Sequence, residues 1–186
     1  MLTLSSDDNN LNVWNIGKFK CIIDLKNVNG SGWINSACFL NNNNQVYVPS
    51  SNATGFSKSP NLIKVFDLKG KLIKQINSCS INIYFIDNYY DNRPSKNYII
   101  TGNECFSTSY DYDKNEIYHK YNDNTRTFHI SVVINVNEEK TNLIESCQDK
   151  GIRIWDFHSG SFIHKINISE SLYGICLWNN NYLMAG

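Results

Sequence analysis

One phrase restricts this chain more than any other: Gln148-Asp149-Lys150-Gly151-Ile152-Arg153-Ile154-Trp155-Asp156-Phe157. An acidic turn leads into a short strand that alternates apolar and polar residues, and the strand closes on a large aromatic followed by Asp. A tight turn, His158-Ser159-Gly160, then opens a second alternating run from Ser161 to Ile166. The same phrase stands near the start, as Asp8-Asn9-Asn10-Leu11-Asn12-Val13-Trp14-Asn15-Ile16 and then Lys20 to Leu25. In both copies an Asp precedes the strand by three residues and a Trp stands three residues into it. Aligning the chain on the aromatic that closes the strand gives Trp14, Phe66, Tyr110 and Trp155, at intervals of 52, 44 and 45 residues. A fixed period of this size marks a chain built from one repeated supersecondary unit.

A repeat of this length, with Asp before its third strand and Trp-Asp at the close, resembles the WD repeat. The resemblance implies an all-β fold, a partial β-propeller of four-stranded antiparallel WD-type blades. It spans residues 1–186, with a partial blade over 1–29, full blades over 30–77, 78–123 and 124–168, and a partial blade over 169–186. Within each unit the first strand is the innermost and most apolar, as in Ile34–Leu40, Ile81–Ile86, Ile130–Ile134 and Leu172–Trp178. Such near-continuous apolar character fits a strand buried on both faces. The second strands are Leu2–Ser6, Val46–Ser50, Tyr98–Gly102, Leu143–Cys147 and Tyr182–Gly186. The third are Leu11–Trp14, Ile63–Phe66, Ser107–Tyr110 and Ile152–Trp155, and the polar outermost strands are Cys21–Leu25, Leu72–Ile76, Ile117–Tyr121 and Phe162–Ile166. A closed propeller needs at least four complete blades, so the segment is expected to be a fragment of a longer propeller or an arc whose edges another chain covers.

In the family, the Asp of the turn before the third strand joins a hydrogen-bonded network with a Ser or Thr of the second strand, a His, and the Trp. By position Asp8, Trp14, Asp149 and Trp155 would take those parts, and Asp156 completes the signature. The His is missing from Asn29–Trp33 and Asn124–Phe128, where the resemblance would place it. The units of Phe66 and Tyr110 also lack the turn Asp.

Composition narrows the function. Lys and Arg number 17 against 17 Asp and Glu, so no global field attracts nucleic acid or an anionic membrane. No apolar run approaches the ~18 residues of a membrane span. The six cysteines lie far apart, without zinc spacing, which suits a reduced, cytoplasmic setting. Asp111-Tyr112-Asp113-Lys114-Asn115 begins like a calcium loop, but Glu116 and Asn122 stand where an EF-hand needs Gly and Glu. No phosphate-binding loop, nucleophile elbow or His-Glu-x-x-His motif occurs, so neither a catalytic site nor a cofactor is expected. Two loops stand outside the repeat: Ser51–Pro60, and Asp87–Lys96 with Tyr89, Tyr90 and Arg93, residue types enriched at binding hot spots. The expected function is a non-enzymatic scaffold that binds other proteins or peptides. The alternative is a regulatory or substrate-recruiting propeller attached to a catalytic domain outside the segment.

Overall fold

The computed structural model describes residues 2–5, 10–26, 28, 36–42, 45–50, 62–67, 69–78, 83–124, 129–136, 140–178 and 182–186. These form an all-β arrangement of small antiparallel sheets, none of them closed, and contain no α-helix. Sheet I orders β1 (Leu2–Ser5), β2 (Asn10–Asn15) and β3 (Lys20–Leu25). Sheet II orders β4 (Leu40–Asn42), β5 (Gln45–Ser50), β6 (Leu62–Phe66) and β7 (Leu72–Asn77). In sheet III β8 (Ile83–Asp91), β9 (Lys96–Asn103), β10 (Ser107–Asp111) and β11 (Glu116–Tyr121) follow one another. Sheet IV repeats this with β12 (His129–Val136), β13 (Thr141–Cys147), β14 (Gly151–Asp156) and β15 (Phe162–Asn167), and sheet V pairs β16 (Ile175–Trp178) with β17 (Tyr182–Ala185). The expected turn residue Asp8 and the Ser51–Pro60 insertion lie outside the described residues.

Successive sheets stack face to face, and each interface has its own apolar cluster. Leu11, Val13 and Ile23 of sheet I meet Phe66 of sheet II. Ile63, Val65 and Ile76 of sheet II meet Ile83, Ile86, Ile99 and Tyr110 of sheet III. Between sheets III and IV lie Tyr98, Ile100 and Tyr121 against Leu143, Trp155 and Phe157. Ile144 and Ile152 of sheet IV close on Leu172 and Ile175 beside sheet V. Odd and even residues of one strand therefore serve two different interfaces. Ile99 faces sheet II while Tyr98 and Ile100 face sheet IV, and Leu143 faces sheet III while Ile144 faces sheet V. This is why apolar residues stand side by side in Tyr98-Ile99-Ile100 and Leu143-Ile144 instead of alternating with polar ones. The first strands of successive sheets approach one another, β4 to β8, β8 to β12 and β12 to β16. No comparable approach joins the fourth strands among the described residues.

The third and fourth strands meet in the same way in all four sheets that contain them. A register shift falls immediately before the closing aromatic, between Val13/Trp14, Val65/Phe66, Ser109/Tyr110 and Ile154/Trp155. One residue of the fourth strand is passed over each time: Ile22, Ile73, Tyr118 or Ile163. Such a bulge increases twist and re-aims the side chains around it. The residue after the aromatic, Asn15, Asp67, Asp111 or Asp156, then organises the turn. Its side-chain oxygen accepts backbone N–H groups two to four residues on, such as Lys18 at 3.0 Å, Lys71 at 2.9 Å, Asp113 at 3.1 Å and Ser159 at 2.7 Å. Asx side chains favour turns through this local bonding. Each turn ends in the left-handed region, at Phe19 (φ 48°), Gly70 (φ 81°), Asn115 (φ 62°) and Gly160 (φ 70°).

The Asp87–Lys96 stretch differs from the loop expected. β8 continues through Tyr89 and Tyr90 to Asp91, pairing Tyr89 with Tyr98 and Asp91 with Lys96, and only Asn92–Ser95 turn. Two consecutive tyrosines are strong strand formers with partners available on β9, so the hairpin lengthens and the turn contracts.

Gly160 tests the turn geometry. A Cβ there would stand 3.1 Å from His119 Nδ1 at a positive φ, whereas one at Gly174 meets nothing within 4 Å. Gly160→Ala is expected to lower stability by about 1–2 kcal/mol and Gly174→Ala by less than about 0.5 kcal/mol, measured by urea unfolding.

Candidate functional site

Three polar groups occupy the interface of sheets III and IV, and the one at the end bearing the β8–β9 and β14–β15 turns opens to solvent. Here Asp91, Arg93, Pro94, Lys96, Tyr98, Tyr118 and His158 line a cleft of about 530 Å³. The β8–β9 turn supplies Arg93 and Pro94, the β14–β15 turn supplies His158, and the bulge of β11 supplies Tyr118. Ile22, Ile73 and Ile163, which hold the same bulge position in the other sheets, are exposed. Tyr118 instead lies half-buried against Tyr98, with ring centroids 4.8 Å apart.

Asp91 organises the polar floor. Its side chain is only 3% exposed and receives Arg93 Nε on Oδ1 and Nη2 on Oδ2, both at 3.1 Å. The Arg93 backbone N–H adds a third bond at 3.0 Å. Burial raises the Asp91 carboxyl, but the Arg93 bonds and charge outweigh it and hold the group below the usual carboxylate range. Arg93 Nη2 also donates to Thr141 Oγ1 at 2.9 Å and lies 2.7 Å from His158 Nε2. His158 Nε2 also lies 3.2 Å from Asp91 Oδ2, and its Nδ1 lies 3.2 Å from the Tyr118 oxygen. His158 thus forms one wall of the cleft. Lys96 reaches Asp111, itself 3% exposed, at 3.3 Å. Burial, then the neighbouring Tyr118, push the Tyr98 phenol upward, keeping it protonated.

Of the residues expected to form an interaction loop, Arg93 stands in this cleft. Tyr89 packs edge-on to Phe157 at 5.1 Å and stacks on Tyr98 at 6.2 Å. Tyr90 is half-buried on β8, paired with Asn97. Asp91, Lys96, Tyr118 and His158 had no motif to reveal them. The available signal was Tyr118 itself, a tyrosine where three equivalent positions carry isoleucine.

The second group lies midway along the interface. Trp155 is 2% exposed, and its indole N–H donates to Glu145 Oε1 at 2.8 Å, while the Ser107 hydroxyl donates to Glu145 Oε2. The carboxylate of Glu145, on the second strand of sheet IV, thus stands where the resemblance implies a Ser or Thr. Trp14 is half-buried at the close of β2, in register with Cys21.

The third group stands at the opposite end from the cleft. Asp149, in the turn before β14, forms a fork with Arg153, at 3.0 Å to Nη1 and 2.7 Å to Nη2, and accepts Lys165 at 3.0 Å. Its hydrogen bonds go to Arg153 and Lys165, not to Trp155. Arg153 is fully buried, and Asp123 takes its Nε. Burial would lower the guanidinium's proton affinity, but Asp149 and Asp123 outweigh that and hold it charged.

The Arg153 bond, against an opposing effect of burial, keeps the Asp149 carboxyl down at about 2. A depressed folded-state pKa contributes stability above the unfolded value, near 4, that is lost as pH falls toward about 2. Asp149→Asn is therefore expected to cost about 1 kcal/mol at pH 6, discounted for partial exposure, with the gap to the parent closing between pH 4 and 2. Urea unfolding across that range measures it.

No family model matches the sequence, and no curated protein matches it. Solved structures do match in fold. The crystal structure of the computationally designed Ika8 protein superposes with a TM-score of 0.70 at 16% identity, over 100% of this chain and 52% of that one. The chain thus spans about half the length of that structure, and the likeness is one of fold.

Proposed function

We propose that the five sheets are blades of a WD-type β-propeller and that the chain is a non-enzymatic scaffold for binding other proteins or peptides. The observation that carries the reading is the repeated closure of the third and fourth strands: one bulge, one closing aromatic and one Asx-bonded turn, recurring in four sheets. The approach of the first strands, without a matching approach of the fourth, supports sheets that splay outward from a common inner column. Face-to-face burial makes such an array stiff, and a stiff array presents its turns at little ordering cost to a partner. The step from fold to scaffold rests on the family resemblance and on a cleft that holds fixed donors and aromatic walls.

The reading is tested by recovering the tagged chain at its native expression level, cross-linking it, and sizing the product. We expect one or more proteins in stoichiometric association, retained through size exclusion. A chain that migrates alone under these conditions contradicts the scaffold reading.

A further inference from the structure

We propose that the outward face of sheet V receives sheet I of a second molecule, so that copies of this chain join head to tail. The proposal rests on the reading of the sheets as blades, and it names one partner for the scaffold: another copy of itself.

The interface of sheets III and IV shows what such a contact requires. On the sheet III side, the cross-strand pair Tyr89 and Tyr98 forms an aromatic platform. On the sheet IV side, Phe157 stands two residues beyond the closing aromatic and meets both rings edge-on, at 5.1 and 5.2 Å. Tyr112, two residues beyond Tyr110, joins the cluster between sheets II and III in the same way. Sheet V rebuilds the platform. Tyr182-Leu183-Met184-Ala185-Gly186 repeats the pattern of Tyr98-Ile99-Ile100-Thr101-Gly102, and Trp178 pairs with Tyr182 as Tyr89 does with Tyr98, ring centroids 6.3 Å apart. Leu177 and Leu183 turn inward on sheet IV, whereas Trp178, Tyr182 and Met184 are 59%, 66% and 53% exposed. Neither β16 nor β17 carries a charged residue, so covering this face strands no ion.

Sheet I supplies the insert. Ile16 stands two residues beyond Trp14, the place of Phe157 and Tyr112 in their sheets, yet it is 61% exposed. The left-handed position of the same turn then selects sheet V over a complete four-stranded sheet. In sheets II and IV that position is Gly70 or Gly160, because the fourth strand of the preceding sheet lies close. A Cβ would come within 2.8 Å of Leu25 at the first and 3.1 Å of His119 at the second. Sheet I instead places Phe19 there, at φ 48° and 89% exposed. A side chain of that size meets a neighbouring fourth strand, but sheet V has two strands among the described residues and leaves the space open. Phe19 fills what the narrower sheet leaves, and burial of its ring offsets the cost of a left-handed aromatic residue. Two different faces on one molecule make a heterologous contact, whose repetition closes a ring or extends a chain.

The test is sedimentation equilibrium of the purified 186-residue chain at up to about 100 µM. A mass at least twice the 21.4 kDa of one copy is expected, and a chain that stays at 21.4 kDa overturns the proposal. Phe19→Asp and Trp178→Asp each alter an exposed side chain, so both should keep the parent's far-ultraviolet circular dichroism. Each should weaken self-association by at least about tenfold. Each variant also retains the face that the other has lost, so their equimolar mixture should form a dimer that neither forms alone. A mixture that stays monomeric overturns the head-to-tail contact. So does a Phe19→Asp variant that associates like the parent, which would set sheet V against sheet V instead. A monomeric chain that still carries other proteins overturns this proposal and leaves the scaffold reading standing, whereas a self-associated chain that carries none does the reverse.

Discussion

The middle strands β6, β9 and β13 bury side chains on both faces, and much of the structure follows from that demand. Ile63 and Val65 point one way from β6 and Phe66 the other, and β9 and β13 divide their side chains in the same manner. A sheet with two apolar faces is unstable alone in water, since both faces would remain hydrated. Stability therefore belongs to the stack and not to any one sheet. The repeated bulge before the closing aromatic serves the same end. It changes the fourth strand's register where Phe66, Tyr110 and Trp155 turn toward the preceding sheet, and all three are buried.

Against that apolar background, the interface of sheets III and IV is unusually polar. Glu145 and Arg153 are both fully buried there, and each is satisfied by groups from both sheets or their adjoining turns. Such groups contribute little net stability compared with apolar residues of equal size, because desolvation offsets most of the attraction. They do penalise any slip, since a one-residue shift would strand a carboxylate or a guanidinium without partners. The interface is thereby fixed in register at its middle and at one end, and the cleft at the other end inherits that fixed geometry.

The third and fourth strands were legible because their signals are local, whereas the strand expected over Ile34–Leu40 is found only from Leu40, as β4. Aromatic residues at 14, 66, 110 and 155 close strands, and each is followed by Asn or Asp that bonds the turn behind it. Tyr89 and Tyr90 misled because they stand beside Asn, Asp, Arg and Pro, a loop-like composition, while their strand partners are Tyr98 and Asn97 across the turn. Glu145 was visible only as an acid within Leu143-Ile144-Glu145-Ser146-Cys147, and its bond to Trp155 required the pairing of β13 with β14. The cleft was the least legible feature. Asp91 and Arg93 stand two residues apart in sequence, but Tyr118 and His158 join them only through sheet stacking and a bulge whose register the sequence does not display.

Amide hydrogen exchange on the parent and on Trp155→Ala tests most directly whether stability resides in the stack. Removing this indole should cost about 3–5 kcal/mol, and exchange is expected to accelerate together in β13 and β14 and in β9 to β11 of the preceding sheet. Acceleration confined to sheet IV, with sheet III protected as in the parent, would contradict the account.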